Sequence, residues 1–337
     1  MPIRMKDIAQ DLGLSAITVS KVLRNHPDIS EETRQRVLKR VAELDYRPNE
    51  LARGLATGKS YLVGLVVPGL LHSFFAEVAM GLSSVISSKG YSLIVASSEE
   101  KSEIEQEEVR KLLARRLDAL VIASSGSDAE LFERMDKQAQ PYILIDRQFP
   151  GVNANFVGID DVKAGAMATE HLYAIGRRRI AHLAGRSNST GQGRLEGYRQ
   201  ALERHGLPYR EEYVVHGAFV DTQSTEQGYE SMQSLLKLAE RPDAVFCHND
   251  PLAIGAMNAI LDAGLRIPED IAVIGCGNLY FDASLRVALS SIDQHSAQLG
   301  EKAGELLLDI LHAKSKPPVR NIILEPSVVV RASTGIA

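Results

Sequence analysis

Tryptophan is absent from the 337-residue chain, aromatic side chains make up only 5% of it, and there are two cysteines, Cys247 and Cys276. Two lone thiols, each at the end of an apolar run, form neither a disulfide framework nor a zinc-ligand spacing. They read as buried thiols in a reducing compartment. No apolar run reaches the ~18 residues of a membrane span, and "MPIRMKDIAQ" lacks the apolar core of a secretory leader. The expectation is a cytoplasmic protein without a membrane partner. A large excess of one charge is missing too: 38 Lys and Arg stand against 43 Asp and Glu, a net of −5. That excludes a protein coated with cations throughout, but the charge is uneven. Residues 1–60 hold 11 basic and 8 acidic residues (net +3), and residues 61–337 hold 27 and 35 (net −8). A small basic head on an acidic body suits local contact with phosphates, with the body repelled from them.

The head opens with "KDIAQDLGLSAITVSKVLRN". Gly13 interrupts the apolar spacing of the first segment, and Ser15 stands where an N-cap starts a second helix. Ala9 before the glycine and Val19 after it supply the small crossing residue and the apolar anchor of a helix-turn-helix. Ile8, Leu12, Leu14, Val22 and Leu23 supply the buried faces. The second helix then offers Ala16, Ile17, Thr18, Ser20 and Lys21 outward, with Ser15 at its start and Asn25 beyond its end, a face able to enter a DNA major groove. Ser30 caps a third helix with Glu31 and Glu32 in its first turn and Val37, Val41 and Leu44 along one stripe, and Pro48 stops it. "NELARGLATGKS" reads as a connector, weakened as a helix by Gly54 and Gly58 and ordered only with a partner.

From Tyr61 onward short apolar runs alternate with amphipathic helical patterns, the latter expected at 169–176, 193–205, 224–239 and 251–263 in the second half. Continuous apolar strands spaced by helices predict parallel sheets covered on both faces. Roughly eight strands in two sets of four make two α/β subdomains with a cleft between them. Ligands in such sheets lie at the carboxyl ends of the strands. Those ends carry Asp146, Arg147, Arg194, Asp221 and Asn249, with Phe74, Phe75 and Phe219 nearby. Carboxylate, amide and guanidinium groups beside aromatic walls suit a small polyhydroxylated ligand. No catalytic constellation is present: "GRSNSTGQG" lacks the lysine of a phosphate-binding P-loop, and no nucleophile elbow or histidine pair at ligand spacing occurs. No cofactor or metal is expected.

The chain resembles the LacI/GalR family of bacterial transcription regulators from end to end. The motifs, in order, are "KDIAQDLGLSAITVSKVL", "ISEETRQRVLKRVAELDYRPN", "ARGLATGKS", "LVVPGLLHSFFAEVAMGL", "ILIDR", "GRLEGYRQAL", "HNDPLAIGAMNAI" and "IAVIGCGN". The resemblance implies a helix-turn-helix head (1–48), a hinge helix that folds on DNA (49–60), and a body (61–337) of two interleaved α/β subdomains like type I periplasmic binding proteins. It implies that Ala16, Ile17 and Lys21 face bases and that Leu55 is a minor-groove wedge. Asp146, Arg194, Phe219, Asn249 and Gln294 would line the effector cleft, joined by His72, Phe74, Phe75 and Asn278. The chain ends soon after "SVVVRASTGIA", without the leucine heptad by which some members become tetramers. A homodimer on a palindromic operator is therefore expected, acting most simply as a repressor.

Two departures fall on the effector side. Gly277 replaces a hydroxyl-binding aspartate of the family pattern, and Val287 replaces a proline. With that acid gone, Arg194 and Arg147 predict a sugar acid as effector, with Asn278 binding a hydroxyl. If Asp282 restores the acid, the effector is a neutral sugar. The rival readings are a cytoplasmic sugar-binding protein, which a shift of labelled DNA distinguishes, and a sugar-transforming enzyme with a regulatory head, which needs turnover to sustain it.

Overall fold

The computed structural model describes residues 3–23, 25–46, 58–126, 129–149, 151–217 and 223–335. Contacts divide the chain into two units, Met1–Ser60 and Tyr61–Ala337. In the first, α1 (Met5–Leu12), α2 (Ala16–Leu23) and α3 (Glu31–Glu43) bury Ile8, Ala9, Val19, Val22 and Val37 against one another. Gly13 closes α1 at φ +65°, a left-handed turn that costs glycine nothing. Ser15 Oγ then accepts from Thr18 N at 3.0 Å and caps α2. Ser30 caps α3 in the same way. The third helix ends at Glu43, before Asp45 turns left-handed at φ 44°. Pro48, together with hinge residues 49–57 and Leu55 among them, lies outside the described residues.

The second unit contains two six-stranded sheets. Strands β1 (Leu62–Val67), β2 (Ser92–Ser97), β3 (Ala119–Ile122), β4 (Tyr142–Ile145), β5 (Asn155–Ile159) and β11 (Asn321–Leu324) form the first, in the order β11-β5-β4-β3-β1-β2. Strands β6 (Ile180–Ala184), β7 (Val214–His216), β8 (Ala244–Cys247), β9 (Ala272–Gly277), β10 (Ser290–Asp293) and β12 (Ser327–Val329) form the second, in the order β12-β10-β9-β8-β6-β7. All pairings are parallel except β10 with β12. The sequence expectation of four strands a side is therefore short by four. The missing strands β5, β10, β11 and β12 are brief and polar at their ends (Asn155, Ser290, Ser291, Asn321), so no continuous apolar run marks them.

Among the described residues eight helices connect the strands: α4 (Ser73–Ser87), α5 (Ser102–Ala114), α6 (Glu130–Lys137), α7 (Asp161–Ala174), α8 (Ser189–Arg204), α9 (Ser224–Leu236), α10 (Asp250–Asp262) and α11 (Ser296–His312). Helices α7 and α8 begin eight and four residues earlier than their apolar patterns predict, because capping by Asp160 and Asn188, not apolar spacing, starts them. The chain crosses between the sheets three times: from β5 into α7, from β10 into α11, and from β11 into β12. Cys247 and Cys276 are buried and unbonded.

Candidate functional site

The head presents α2 outward. Ala16 and Ile17 are exposed, Ile17 by 69%, on a helix whose other face is fixed by Val19 and Val22. An isoleucine held in water on a capped, docked helix is available for apolar contact. Thr18 is half-buried because its hydroxyl meets Ser15 Oγ at 2.9 Å, and Ser20 is half-buried too. Lys21 Nζ lies 2.5 Å from Asp28 Oδ2, and His26 Nδ1 lies 2.6 Å from the other oxygen. Asn25 is drawn the other way: its Oδ1 accepts from the Arg34 guanidinium, which also donates to His26 O. Asn25 thus fastens the α2–α3 loop, a role that short-range spacing does not reveal.

In the body, the carboxyl ends of both sheets face a two-chambered cleft. The inner chamber, about 40 Å³, is lined by His72, Phe74, Phe75, Asp146, Arg194, His248, Asn249, Cys276 and Gln294, with Glu100, Arg147, Arg186, Asn188 and Thr190 toward its mouth. Phe74 and Phe75, 5.0 Å apart and edge to face, start α4 and form its apolar wall. Asp146 follows β4 at φ 63°. Asn249 caps α10 through Oδ1, accepting from Leu252 N at 2.9 Å, which leaves its amide group to donate.

Arg194 is the hub. Its Nε donates to Asp161 Oδ1 (2.9 Å), Nη1 to the His248 carbonyl (2.6 Å) and Nη2 to Gln294 Oε1 (2.9 Å). Asp161 and Gln294 stand on two of the three crossovers. Helices α7 and α8 approach closely enough for this because a Cβ on Gly165 would overlap the Arg194 carbonyl and one on Gly197 would overlap that of Val162. Burial pushes the Asp161 carboxyl up to about 6 against the pull of Arg194. At neutral pH the pair is ionised and its charges cancel.

That pairing corrects the sugar-acid expectation as it was built on Arg194, because the arginine already has an anion. Asn278 is corrected as well. Its Oδ1 accepts from Arg331 Nη2 at 2.5 Å, and it does not line the chamber. Nor does Asp282 restore the lost acid. It is fully buried near Asp250, and neither of its carboxyl oxygens has a hydrogen-bond partner among the described residues. Gly277 sits at φ 147°, and a Cβ there would stand 2.6 Å from Asp250 Oδ2. The residue where the family carries an acid is therefore closed to any side chain. Phe219 and Asp221 lie outside the described residues.

Both histidines of the inner chamber are neutral. Burial lowers His72 to about 4, despite the nearby carboxylates of Asp250 and Asp146, and holds His248 well below the usual range. Each keeps a buried Nδ1 with no hydrogen-bond partner among the described residues. Buried polar atoms are ordinarily satisfied, and these two, on residues lining one chamber, are not. Among the described residues no group of three or more His, Cys, Asp and Glu is arranged to hold a metal ion.

The outer chamber, about 500 Å³, is of ligand size and shares Glu100, Arg147, Arg186 and Asn188 with the inner one. Glu100 was not singled out from the sequence. It lies two residues past the Ser97–Ser98 strand end, and only tertiary contact brings Arg147 to it, 47 residues away. Arg147 donates to both its oxygens, at 2.9 and 2.8 Å.

Comparison with known proteins places both parts. The family described as "Bacterial regulatory proteins, lacI family" matches residues 4–49, and "Periplasmic binding proteins and sugar binding domain of LacI family" matches residues 60–326. The ribose operon repressor of Haemophilus influenzae is 33% identical over 334 residues, 98% of each chain. Among solved structures, the lac repressor dimer bound to operator and the anti-inducer ONPF shares 27% identity at a TM-score of 0.86, covering 99% of both chains. The transcriptional regulator CelR in complex with cellobiose shares 29% at 0.73, covering 98% of this chain and 99% of its own.

Proposed function

The chain belongs to the LacI family of DNA-binding regulators governed by small-molecule effectors, and from that premise we propose how its residues divide the work. Residues 1–48 read DNA, 49–60 form the hinge, and 61–337 bind effector and pair the subunits. Two copies of α2 enter successive major grooves of a palindromic operator. Ala16 and Ile17 make apolar contacts there, for instance with a thymine methyl, and Lys21 donates to a base edge. Ser15, Thr18 and Ser20 flank them, and Leu55 wedges the minor groove between half-sites.

The observation that carries this assignment is Ile17, 69% exposed in the first turn of a helix whose opposite face is packed. Pairing of subunits is supported by apolar side chains left outside around the edge of the first sheet: Leu70, Leu71 and Met80 before and on α4, and Val95 on the edge strand β2. Effector binding in the cleft is supported by the two orphaned histidine nitrogens and by Asp146, Asn249 and Gln294 around them. Hydroxyl groups satisfy all of these, so the effector is a sugar-like polyol. A binding role without turnover fits a chamber whose thiol, Cys276, is pushed up to about 12 by burial and whose histidines are neutral. The protein works beside its DNA in the cytoplasm; no helix among the described residues is long and apolar enough to cross a membrane.

Selection of bound sequences from random duplexes by the full-length protein tests the assignment. A palindrome is expected, and Ile17→Ala and Lys21→Ala should each relax one position per half-site. Loss of affinity without any change of preference would assign these side chains to the phosphates instead.

A further inference from the structure

The charges of the cleft balance in number but not in place. The inner chamber holds the neutralised Arg194–Asp161 pair and, beside it, the Asp146 carboxylate, whose Oδ2 lies 3.8 Å from Arg147 Nε. At the outer end Glu100 meets two arginines, while the buried carboxyl of Glu105 behind the wall is held by Ser124 Oγ and the Ser125 amide. Arg147 takes both Glu100 oxygens, so Arg186 is left with a 3.5 Å approach to Glu100 Oε2 and remains about a third exposed, at 37%. Arg186 is therefore the least compensated cation lining the cleft.

The donors around Arg186 add to this. Ser187 Oγ accepts from Gln192 Nε2 at 3.1 Å, and Ser189 Oγ accepts from the Gln148 amide at 3.0 Å. Each hydroxyl uses its oxygen as acceptor and keeps its hydrogen to give. Asn188 spends its Oδ1 on the Gly191 amide and Thr190 Oγ1, which leaves its amide group as a donor as well. These residues open the sixteen-residue helix α8, whose first amides also favour an anion. A 500 Å³ chamber with one under-compensated arginine and inward donors lies next to two buried ring nitrogens without a hydrogen-bond partner among the described residues.

We propose that the effector is an anionic polyol. Its hydroxyls meet Asp146 and Asn249 in the inner chamber, and its carboxylate or phosphate seats in the outer chamber against Arg186, Ser187 and Ser189. This rests on the assignment of the cleft as the effector site. The anion is received by Arg186 and not by Arg194, because only Arg186 has charge to spare.

Calorimetric titration of the full-length protein with matched ligands tests it. The set comprises five- and six-carbon aldoses, their aldonic acids and their terminal phosphate esters, with inorganic phosphate alongside. At least one anionic member should bind about tenfold or more tightly than its neutral parent, as a charge-assisted pair requires. Arg186→Gln should bring the two affinities together. A phosphate is told from a carboxylate by pH, since only the phosphate gains charge as its second proton leaves near about pH 6. A neutral parent that binds as tightly as its acid and ester, or an anion preference that survives Arg186→Gln, overturns the proposal. If no sugar binds, the proposal still requires inorganic phosphate to raise the melting temperature through Arg186, and equal stabilisation of wild type and Arg186→Gln overturns it. Asp146→Asn separates the two levels: it should weaken neutral and anionic members alike. Should it leave every titration unchanged, the cleft is not the effector site and the underlying assignment falls.

Discussion

Arg194 on α8 and Asp161 at the start of α7 form a buried ion pair, 2.9 Å from Nε to Oδ1, and Asp161 is the residue through which the chain first crosses between the sheets. The bond that neutralises the central arginine of the cleft is thus also a tie at the crossover. Removing one partner of a buried pair leaves the other charge uncompensated, which costs about 3–5 kcal/mol. Asp161→Asn should lower the stability of the body by that order in urea unfolding. Adding Arg194→Met should recover part of the loss, since no lone charge then remains. A double variant as unstable as the sum of the singles would show that packing, not charge, sets the cost.

Alkaline pH should loosen the loop after β9. Asp282 and Asp250 are both fully buried, and Asp250 already accepts from Ser291 Oγ (2.6 Å) and the Leu279 amide (3.3 Å). Burial and the neighbouring Asp250 charge push Asp282 up to about 9, from an ordinary value of 3.8. Between those values the folded protein holds a proton that the unfolded chain has released. Stability therefore falls as pH rises through that window, and the penalty is complete above about 9. Asp282→Asn has the same shape and cannot ionise. Its stability relative to wild type should climb with pH, by at most about 1.4 kcal/mol per unit. Identical pH profiles for the two proteins would show that Asp282 does not carry this pH dependence.

Asp28 should act as a competitor of DNA for Lys21. The 2.5 Å contact of Lys21 Nζ with Asp28 must loosen before the lysine turns to DNA. Asp28→Asn should tighten binding to the selected operator and to random duplex alike, and it should steepen the salt dependence by about one counterion. If it weakens operator binding selectively, Asp28 instead orients Lys21 for its base.

Leu55→Ala should weaken binding to the operator and reduce its bending, with non-specific affinity nearly unchanged. Unstacking a base step costs a few kcal/mol and is offset only when the wedge is present. Circular-permutation gel shifts measure the bend. Hydrogen exchange at residues 49–57 should show protection only with operator bound; protection without DNA contradicts coupled folding.

Much of the architecture was legible in the chain because it rests on local chemistry. Gly13 turns left-handed, Ser15 and Ser30 cap, and Val19 and Val37 fall on the buried faces, all for reasons contained within a few residues. The apolar runs at β1–β4, β6, β8 and β9 likewise declare a parallel sheet, since strands covered on both faces cannot afford polar residues. Strands such as β10, with Ser290 and Ser291, escape that signal: their hydroxyls are satisfied by Asp250, Thr334 and the Arg331 carbonyl, partners about 40 residues distant.

The cleft shows the same limit more sharply. Strand ends told which residues arrive there, and Asp146, Arg194 and Asn249 do; Gln294, which the family resemblance implied, joins them. Which charges remain for a ligand was decided by pairing between segments far apart in the chain: Asp161 with Arg194 and Glu100 with Arg147. A charge's partner depends on distances that only the packed fold fixes. The sequence on its own therefore determined that a polar, ligand-sized cleft exists, and the tertiary structure decided that its spare positive charge lies at Arg186.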